Sequence, residues 1–426
     1  MSINSKRLKS LFKEINSITD TTFGAGITRL AYTNHDKILK ELMIKHLSDA
    51  NLKVEVDEIG NIFARRYGRE SGLKAVAFGS HLDSVINGGE YDGVVGVLAA
   101  LEVINSLDDD GIITKRPLEL VIFACEESTR FNISMLGSKA MTHKLDRQKL
   151  EVLKDFRGEN LSDIFQKYGL NLANLDKIKN RALDYDSFFE LHVEQGPLLH
   201  SQNLQIGVVS AIAAPHRFGI KIIGTAGHSG TTAMQYRNDA LCVASEIILA
   251  VERVAKKYAD KSVVATCGNC VVKPGVINVI PGEAMILVDL RSTDLESRNL
   301  AFNEIKNEIE NIQKSRNFSY KIKQISTENP SVLDKDLIEL ISQEARNLGL
   351  KHVIMPSGAG HDTMNISEFC KTAMIFVPSR NGISHNPSEF TSFDDIINGT
   401  KLLKNVVLKS ANSSKGDFYE KSTFIK

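Results

Sequence analysis

The feature that most constrains the fold of this chain is a pair of strongly apolar strand patterns with an apolar helical pattern between them. AVAFG over Ala75–Gly79 and LELVIFA over Leu118–Ala124 predict buried strands, and GVVGVLAALEVINSL over Gly93–Leu107 predicts a buried helix. A strand, a helix and a second strand at this spacing indicate a parallel pair that is covered on both faces. We therefore predict an α/β fold whose mostly parallel, twisted sheet carries helices on both faces.

The second half of the chain contains a segment of different character. Two strand patterns, RFGIKIIGTAG and EAMILVDLRS, are accompanied by amphipathic helical patterns over Leu241–Tyr258 and Leu295–Ser315. Strand–helix pairs of this kind fit a compact α+β module, and the pattern of the first half resumes after it. We therefore predict one domain at 1–213 and 326–426, interrupted by an inserted domain at 214–325.

Charge, cysteine usage and the two ends of the chain bear on partners and compartment. The 52 basic and 52 acidic residues give a formal net charge of +0, which argues against nucleic acid as the main partner and gives no reason to expect a membrane partner. Five cysteines in 426 residues fit a reducing compartment, and Cys267 and Cys270 are predicted to lie in a strand. The first residues lack a signal-peptide core, so we expect a cytoplasmic protein, and the polar tail at 411–426 is expected to be loosely held.

Histidines and carboxylates follow several strand patterns directly. They are His81 and Asp83 in GSHLD, Glu126 and Glu127 in ACEES, His192 and Glu194 in ELHVEQG, and His385 in NGISHNP. Because the carboxyl ends of parallel strands meet at one edge of a sheet, we expect these side chains to share that edge. Imidazoles and carboxylates without thiolates suit a catalytic divalent-metal site better than a purely structural zinc site.

Asp92 supplies a carboxylate that two cations could share. It lies in the glycine-rich loop GGEYDG before the buried helix, and a carboxylate there can bridge two cations about 3.5–4 Å apart, which would acidify a water between them. Glu126 and Glu127 point opposite ways on an extended chain, so one can bind metal while the other accepts a proton. Asp83 is expected to accept the proton on the ring nitrogen of His81 that faces away from the metal.

A series of motifs along the chain resembles the M20 metallopeptidase clan, and most closely its amidohydrolase branch, which acts on carbamoyl and ureido compounds. The motifs are GSHLDSVINGGEYDGVVGVLAALE, ACEESTRF with LGSKAM, ELHVEQGPLL, GHSGTTAM, NVIPGE, DLRS, SGAGHD and ISHNP. The resemblance runs from about residue 8 to about residue 408. It implies a hydrolase of non-peptide C–N bonds in linear amides that uses two divalent metal ions per subunit.

The resemblance also implies a role for each proposed metal ligand. His81 and His192 would each bind a different metal ion. Asp92 would bridge the two ions, and Glu127 and His385 would complete the set. The ions themselves would be Mn²⁺ or Zn²⁺, with Co²⁺ or Ni²⁺ as alternatives, because histidine–carboxylate sites accept all four.

Other residues take roles around the metal ions in this family. Glu126 would be the general base, and Asp83 would be the partner of His81. Gln195 matches a position that lines the substrate pocket, whereas Glu194 matches no ligand and is interpreted as structural. His361 lies in a motif beside the site, and its role is either to bind substrate or to fix its own loop.

The inserted domain serves as lid and dimerisation surface in this family, so the resemblance implies a homodimer. Arg291 would bind the carboxylate of the substrate through its planar fork of N–H groups. His228 and Asn278 would line the pocket, with at least one of them reaching in from the neighbouring subunit. His228 lies between glycines in TAGHSG and could stabilise the oxyanion of the tetrahedral intermediate.

The substrate prediction is an N-carbamoyl-L-amino-acid hydrolase, in the same branch as the β-ureidopropionases. Ureidoglycolate or allantoate amidohydrolase is the alternative, because EESTRF and LQIGVVSAIAAP look more like the ureidoglycolate enzymes. Ala233 also replaces a proline that is frequent in the family. A dipeptidase or N-acyl-amino-acid deacylase of the same clan is a further alternative. A catalytically silent binding protein is disfavoured because every proposed ligand and the base are present.

Overall fold

The structure is a computed structural model, and it describes residues 2–413 of the chain. The strands, in chain order, are β1 (Lys53–Val56), β2 (Ile62–Arg66), β3 (Ala75–His81), β4 (Leu118–Phe123), β5 (Tyr185–Val193), β6 (Ile206–Ile212), β7 (Ala214–Ile223), β8 (Gly227–His228), β9 (Val264–Lys273), β10 (Val279–Ile280), β11 (Glu283–Ser292), β12 (Ser319–Thr327), β13 (Ser331–Val332), β14 (His352–Ser357) and β15 (Lys371–Val377). The α-helices are α1 (Ser5–Asn16), α2 (Asn34–Asp49), α3 (Val94–Asp109), α4 (Leu136–Met141), α5 (Arg147–Glu151), α6 (Leu161–Tyr168), α7 (Leu198–Ser201), α8 (Ala240–Lys257), α9 (Leu295–Ser315), α10 (Lys335–Asn347), α11 (Thr363–Ile366) and α12 (Phe393–Asn412).

The described residues form two compact units. The first unit comprises residues 2–210, 333–355 and 361–413, and the second comprises Ala211–Val332 and Pro356–Gly360. The lid and dimerisation roles that were predicted for residues 214–325 stay predictions. No helix within residues 2–413 has both the length and the apolar character that crossing a bilayer requires.

The sheet of the first unit is parallel at its centre and antiparallel at its edges. Its strands run in the order β1-β2-β4-β3-β5-β15-β6, and β14 also pairs with β6. The four strands from β4 to β15 in this order are mutually parallel, which confirms the predicted fold class. β1 and β2 are antiparallel because the loop between them is too short for the crossover that a parallel pair requires.

Helices cover both faces of this sheet, as predicted. Along β3 every residue is buried, and alternate side chains enter different cores. Val76 and Phe78 pack with α3 and α12, whereas Ala75 and Ala77 pack with Met141 of α4 and with α11. The polar side chains lie at the carboxyl ends of the parallel strands. Packing on both faces of the sheet holds these strand ends rigidly.

The C-terminal end of α12 differs from the sequence prediction. Ala411 and Asn412 belong to this helix, so the predicted loose tail is wrong for these two residues. The Ala411 carbonyl accepts a hydrogen bond from the Arg116 N–H at 2.9 Å, and Oδ1 of Asn412 accepts one from the Lys115 N–H at 3.0 Å. The rest of the predicted tail, residues 414–426, lies outside the described residues.

The second unit is an antiparallel sheet in the order β12-β7-β11-β9, packed on α8 and α9. β11 and α9 have the predicted bounds, and Cys267 and Cys270 lie in β9, which confirms that strand. The sequence patterns did not reveal β12 (Ser319–Thr327). It is an edge strand on which Lys321 and Lys323 alternate with half-buried Tyr320 and Ile322.

Candidate metal centre

Histidine and carboxylate side chains lie together at the carboxyl edge of the parallel strands. His81 is the last residue of β3, and His192 is the last but one of β5. Glu127 follows β4, Asp92 precedes α3, and His385 lies in the loop after β15. Their possible ligand atoms form two overlapping groups, and within each group all atoms lie within 4.8 Å of one another. Asp92 belongs to both groups.

The first group consists of His81, Asp92 and His192. Oδ1 of Asp92 lies 3.6 Å from Nε2 of His81 and 3.1 Å from Nε2 of His192. In the parallel pairing of β3 with β5, Phe78 lies opposite Phe189, and three residues further along these strands are the two histidines. This register places both rings on the same side of the carboxylate. It corrects the prediction that His81 and His192 bind different metal ions.

The second group consists of Asp92, Glu127 and His385. Nε2 of His385 lies 3.2 Å from Oδ2 of Asp92 and 3.3 Å from Oε1 of Glu127. The two oxygens of Asp92 therefore face different groups, with Oδ1 toward the first and Oδ2 toward the second. This is the arrangement in which one carboxylate can bridge two cations.

The Nδ1 atoms of the first-group imidazoles contact backbone carbonyls, so Nε2 is the ring atom of each histidine that can act as a ligand. Nδ1 of His81 lies 3.0 Å from the Asp83 carbonyl oxygen, and Nδ1 of His192 lies 2.9 Å from the Val193 carbonyl oxygen. A carbonyl only accepts, so in both rings Nδ1 is the donor and Nε2 carries the lone pair in the neutral form. Each Nε2 lies near Oδ1 of Asp92, and that of His192 also accepts the N–H of Gly93 at 3.2 Å. Two acceptors that lie this close are stabilised by a proton or a cation between them.

The charges of the site also favour a cation. Hydrogen bonds to Asp92 and Glu127 raise the pKa of His385 to about 11. Burial alone would raise the pKa of Asp92, but hydrogen bonds from three histidines hold it well below its usual range. The carboxylates thus stabilise positive charge between these side chains, and nitrogen and carboxylate oxygen are the donors that Zn²⁺ and Mn²⁺ accept. The residues therefore fit two divalent cations that share Asp92.

Asp83 contacts the backbone of the two glutamates that follow β4. Its Oδ1 accepts the N–H of Glu126 at 3.1 Å, and its Oδ2 accepts the N–H of Glu127 at 3.0 Å. The carboxylate is 3.8 Å from Nδ1 of His81, which donates instead to the Asp83 carbonyl. The expectation that the Asp83 carboxylate accepts the His81 proton is therefore wrong, because the proton is directed at the Asp83 carbonyl instead.

Glu126, the predicted base, is buried beside the first group. Its Oε2 lies 3.9 Å from Nε2 of His81. Burial raises the pKa of Glu126 well above its usual value, and the negative charge of Glu127 adds to the shift. A carboxylate with a raised pKa is a stronger base, so this environment suits proton transfer.

Gln195 bonds directly to the shared carboxylate. Its Nε2 donates to Oδ2 of Asp92 at 2.7 Å, and its backbone N–H donates to Oγ of Ser379 at 3.0 Å. The residue has a φ of 57°, in the left-handed region. Glu194, interpreted as structural, accepts the N–H groups of Leu198 and Leu199 at the start of α7.

His361 is buried against His192, with 4.6 Å between the ring centroids. Burial lowers the pKa of His361 well below its usual value. It forms a further possible ligand group with His192 and Glu190. The oxygens of Glu190, however, already accept the hydroxyls of Ser80 at 2.7 Å and Thr363 at 2.6 Å.

The remaining predicted residues, His228, Asn278 and Arg291, lie in the second unit. His228 in β8 pairs with Val279 of β10, and the N–H of Ser229 donates to the Asn278 carbonyl at 3.1 Å. The structure therefore places His228 and Asn278 next to each other, with both exposed.

Arg291 already binds a carboxylate within the second unit. Its Nε and Nη2 donate to the two oxygens of Asp289 at 2.8 and 3.0 Å, and its Nη1 donates to the Gly358 carbonyl at 2.9 Å. Three of the five N–H groups of the guanidinium are thus engaged. One N–H on each Nη nitrogen is left for a second carboxylate, so a substrate clamp would use this end of the group.

Three residues around Asp92 were not predicted from the sequence: Gly93, Ser384 and Glu389. Gly93 has a φ of 68°, and a Cβ at this position would lie 2.4 Å from Cε1 of His81. Its N–H donates to Nε2 of His192 at 3.2 Å. Its position directly after Asp92 in a glycine-rich loop was the signal that could have identified Gly93. Ser384 and Glu389 lie in a loop, where no strand pattern indicates their position.

Comparison with known proteins reveals relatives over nearly the whole chain. An uncharacterised hydrolase from Haemophilus influenzae is 44% identical over 411 residues, covering 96% of this chain and 99% of the relative. The ureidoglycolate hydrolase of Arabidopsis thaliana is 36% identical, covering 96% of this chain and 87% of the relative. The N-carbamoyl-L-amino-acid amidohydrolase of Pseudomonas sp. strain NS671 is 34% identical, covering 96% and 99%.

Solved structures and family profiles give the same relationship. A crystal structure of an amidase of the hydantoinase/carbamoylase family from Burkholderia multivorans superposes with a TM-score of 0.88 at 33% identity, covering 97% of this chain and 99% of that one. The profile of peptidase family M20/M25/M40 matches residues 77–409. The chain therefore belongs to peptidase family M20/M25/M40 and is a hydrolase of amide C–N bonds.

Proposed function

We propose that this chain is a di-metal amidohydrolase that removes the carbamoyl group from an N-carbamoyl-L-amino acid. The observation that carries the proposal is the division of the Asp92 carboxylate, whose Oδ1 faces His81 and His192 and whose Oδ2 faces His385. Glu127 completes the second group. The two cations, when bound, would polarise the ureido carbonyl and lower the pKa of a water.

Glu126 is the proton carrier in this proposal. It accepts a proton from the attacking water and returns it to the departing nitrogen, acting first as base and then as acid. Its buried position beside His81 supports the role, because burial raises the pKa of Glu126. For a carbamoyl amino acid and one water, the products are the free amino acid, carbon dioxide and ammonia.

Asp83 is a positioning residue for this base. By accepting the N–H groups of both Glu126 and Glu127, it fixes the backbone from which the proposed base and a proposed ligand project. One carboxylate thus sets the separation between the proton carrier and the second group. Its own burial raises the pKa of Asp83 to about 6.

Recognition of the substrate would involve the remaining residues that the sequence motifs single out. Arg291 would bind the carboxylate of the substrate through the N–H groups that Asp289 and Gly358 leave open. His228 would donate to the oxyanion, with Asn278 beside it, and Gln195 and His361 would line the pocket near the metal ions. Residues 214–325 would act as lid and dimer surface. The protein would work as a cytoplasmic homodimer.

Two named relatives support a ureido substrate, but their names give two different ureido compounds. One acts on N-carbamoyl-L-amino acids by its name, and the other is a ureidoglycolate hydrolase. The sequence EESTRF, with Ser128 and Thr129 after the two glutamates, resembles the ureidoglycolate enzymes. Ureidoglycolate is therefore the second candidate substrate, with allantoate beside it. These ureido compounds contain a carboxylate that the proposed clamp could bind.

The test is ammonia release from a substrate panel. The purified protein is stripped with a chelator, reloaded with Mn²⁺, Zn²⁺, Co²⁺ or Ni²⁺, and assayed with N-carbamoyl-L-amino acids, β-ureidopropionate, ureidoglycolate and allantoate. Dipeptides and N-acyl amino acids are assayed in parallel for release of a free amine. The proposal expects metal-dependent ammonia release that is fastest with an N-carbamoyl-L-amino acid.

Other outcomes reassign the substrate or reject the proposal. Faster release from ureidoglycolate or allantoate would select the second candidate. Cleavage confined to dipeptides or N-acyl amino acids would place the chain among the peptidases and deacylases of the family. A protein that retains no metal and cleaves nothing on the panel would contradict the di-metal proposal.

A further inference from the structure

Glu389 is a buried carboxylate that has no role in the function proposed above, yet it contacts the loop that carries Asp92. Its Oε1 accepts the N–H of Tyr91 at 2.8 Å and the N–H of Asp92 at 3.1 Å. The loop passes so close that a Cβ on Gly89 would lie 2.4 Å from the Glu389 side chain. Glu389 therefore fixes the backbone of the residue that both metal groups share.

The second oxygen of Glu389 competes with Asp92 for one hydroxyl hydrogen. Oγ of Ser384 lies 2.8 Å from Oε2 of Glu389 and 3.1 Å from Oδ2 of Asp92. A serine hydroxyl has a single hydrogen, so it donates to one of these carboxylates at a time. The shorter distance favours Glu389.

The outcome of this competition matters because Oδ2 of Asp92 is already crowded. Nε2 of Gln195 donates to it at 2.7 Å, and Nε2 of His385 lies 3.2 Å away. If the Ser384 hydrogen also pointed at this oxygen, the two donors would engage both of its lone pairs. A cation of the second group would then find none of them free.

We propose that Glu389 is a positioning residue for the second metal group: it holds the Asp92 backbone and keeps the Ser384 hydrogen away from Oδ2. The inference rests on the proposed function, since it concerns the ion that Asp92, Glu127 and His385 would bind. It adds a residue that acts through Asp92 and does not itself touch a cation.

The variant Glu389→Gln separates the two parts of this role. The two backbone N–H groups of Tyr91 and Asp92 attract the amide oxygen of the new side chain, so the loop contacts are kept. The amide nitrogen then faces Ser384 and donates to its oxygen. The Ser384 hydrogen has to turn to Oδ2 of Asp92, where it competes with the cation.

The double variant Glu389→Gln with Ser384→Ala removes the competitor. Without the Ser384 hydroxyl, no hydrogen of that side chain can turn toward Oδ2 of Asp92. A lone pair of Oδ2 is then free for the cation. Ser384→Ala alone should leave metal affinity unchanged, because in the parent protein Glu389 already holds that hydrogen. If Glu389 had a purely structural role, the double variant would bind the metal no more tightly than Glu389→Gln.

The measurement is calorimetric titration of the metal-free proteins with Co²⁺, with visible absorption as a second readout of coordination. The parent protein should bind two equivalents. Glu389→Gln should weaken one of them by about 10–100-fold and leave the other unchanged. The double variant should return the weakened site to the parent affinity.

Asp334→Asn is the matched control. One oxygen of Asp334 also accepts two backbone N–H groups, those of Asp336 and Leu337, and the other lies 3.5 Å from Nζ of Lys371. Lys371 begins β15, at the end of the strand away from the site. This variant should bind both equivalents with the parent affinity.

Three outcomes would overturn the inference: parent affinities in Glu389→Gln, equal weakening of both sites, or a double variant as weak as Glu389→Gln. If Glu389→Gln does not fold, Glu389→Asp tests the same contacts, since its shorter carboxylate reaches one partner less well and should also weaken a single site. A parent protein that binds no Co²⁺ would refute the proposed function itself, which is a different result.

Discussion

Replacement of Gly93 by alanine tests how tightly the site is packed around His81. Gly93 follows the shared carboxylate and has a φ of 68°, a conformation that residues with a Cβ rarely adopt. A Cβ here would lie 2.4–2.6 Å from three atoms of the His81 ring. Gly93→Ala should therefore disturb both the backbone and a proposed metal ligand.

The size of the effect follows from these two terms. A positive φ costs an L-residue about 1–2 kcal/mol, and overpacking of a buried site costs about 1–3 kcal/mol. The free energy of unfolding should thus fall by about 2–5 kcal/mol. Alternatively the ring moves by about 1 Å to reach an ordinary contact distance, and a shift of this size can cost about 100-fold in rate.

Gly349→Ala is the matched control, because Gly349 has a φ of 69° and no atom within 4 Å of its would-be Cβ. It should lose only the backbone term of about 1–2 kcal/mol and keep full activity. Urea unfolding of the metal-free proteins, followed by circular dichroism because the chain has no tryptophan, gives the stabilities. Equal stability and activity in the two variants would refute the packing argument.

Three further predictions concern the chemistry. Glu126→Gln should bind metal normally but lose about 10²–10⁴-fold in kcat, and a near-normal rate would remove Glu126 as the base. Arg291→Ala should raise KM for a carboxylate substrate by about 10–100-fold with little change in kcat, and an unchanged KM would discard the clamp. Chelation should abolish activity and lower Tm, because bound metal stabilises the folded state, and re-addition should restore both. Activity that survives complete removal of metal would contradict the metal-dependent mechanism.

The central fold could be predicted because its parallel strands are buried on both faces and therefore read as continuous apolar runs. The bounds of β11 and α9 follow from one-sided patterns, the alternation of a strand that is buried on one face and the periodicity of an amphipathic helix. β12 was missed because it is an exposed edge strand, on which lysines such as Lys321 interrupt the apolar signal. A regular apolar pattern thus locates an element when at least one of its sides is buried, and β12 has no fully buried residue.

The sequence predicts which residues are candidate metal ligands better than it predicts which residues lie next to each of them. His81 and His192 are 111 positions apart in the chain, and the register of β3 against β5 brings them together, where both lie near Oδ1 of Asp92. The hydrogen bond of His81 to a carbonyl, rather than to the Asp83 carboxylate, also depends on where the loop after β4 passes. Glu389 was missed because its role depends on a close contact with the backbone at Gly89, and no local sequence pattern indicates that contact.

The claim that two cations share Asp92 is tested most directly by anomalous diffraction from crystals of the protein loaded with Zn²⁺. We expect two anomalous peaks about 3.5–4 Å apart, one bound by Oδ1 of Asp92 with His81 and His192, the other by Oδ2 with Glu127 and His385. A single peak, or two peaks that do not share Asp92, would contradict it.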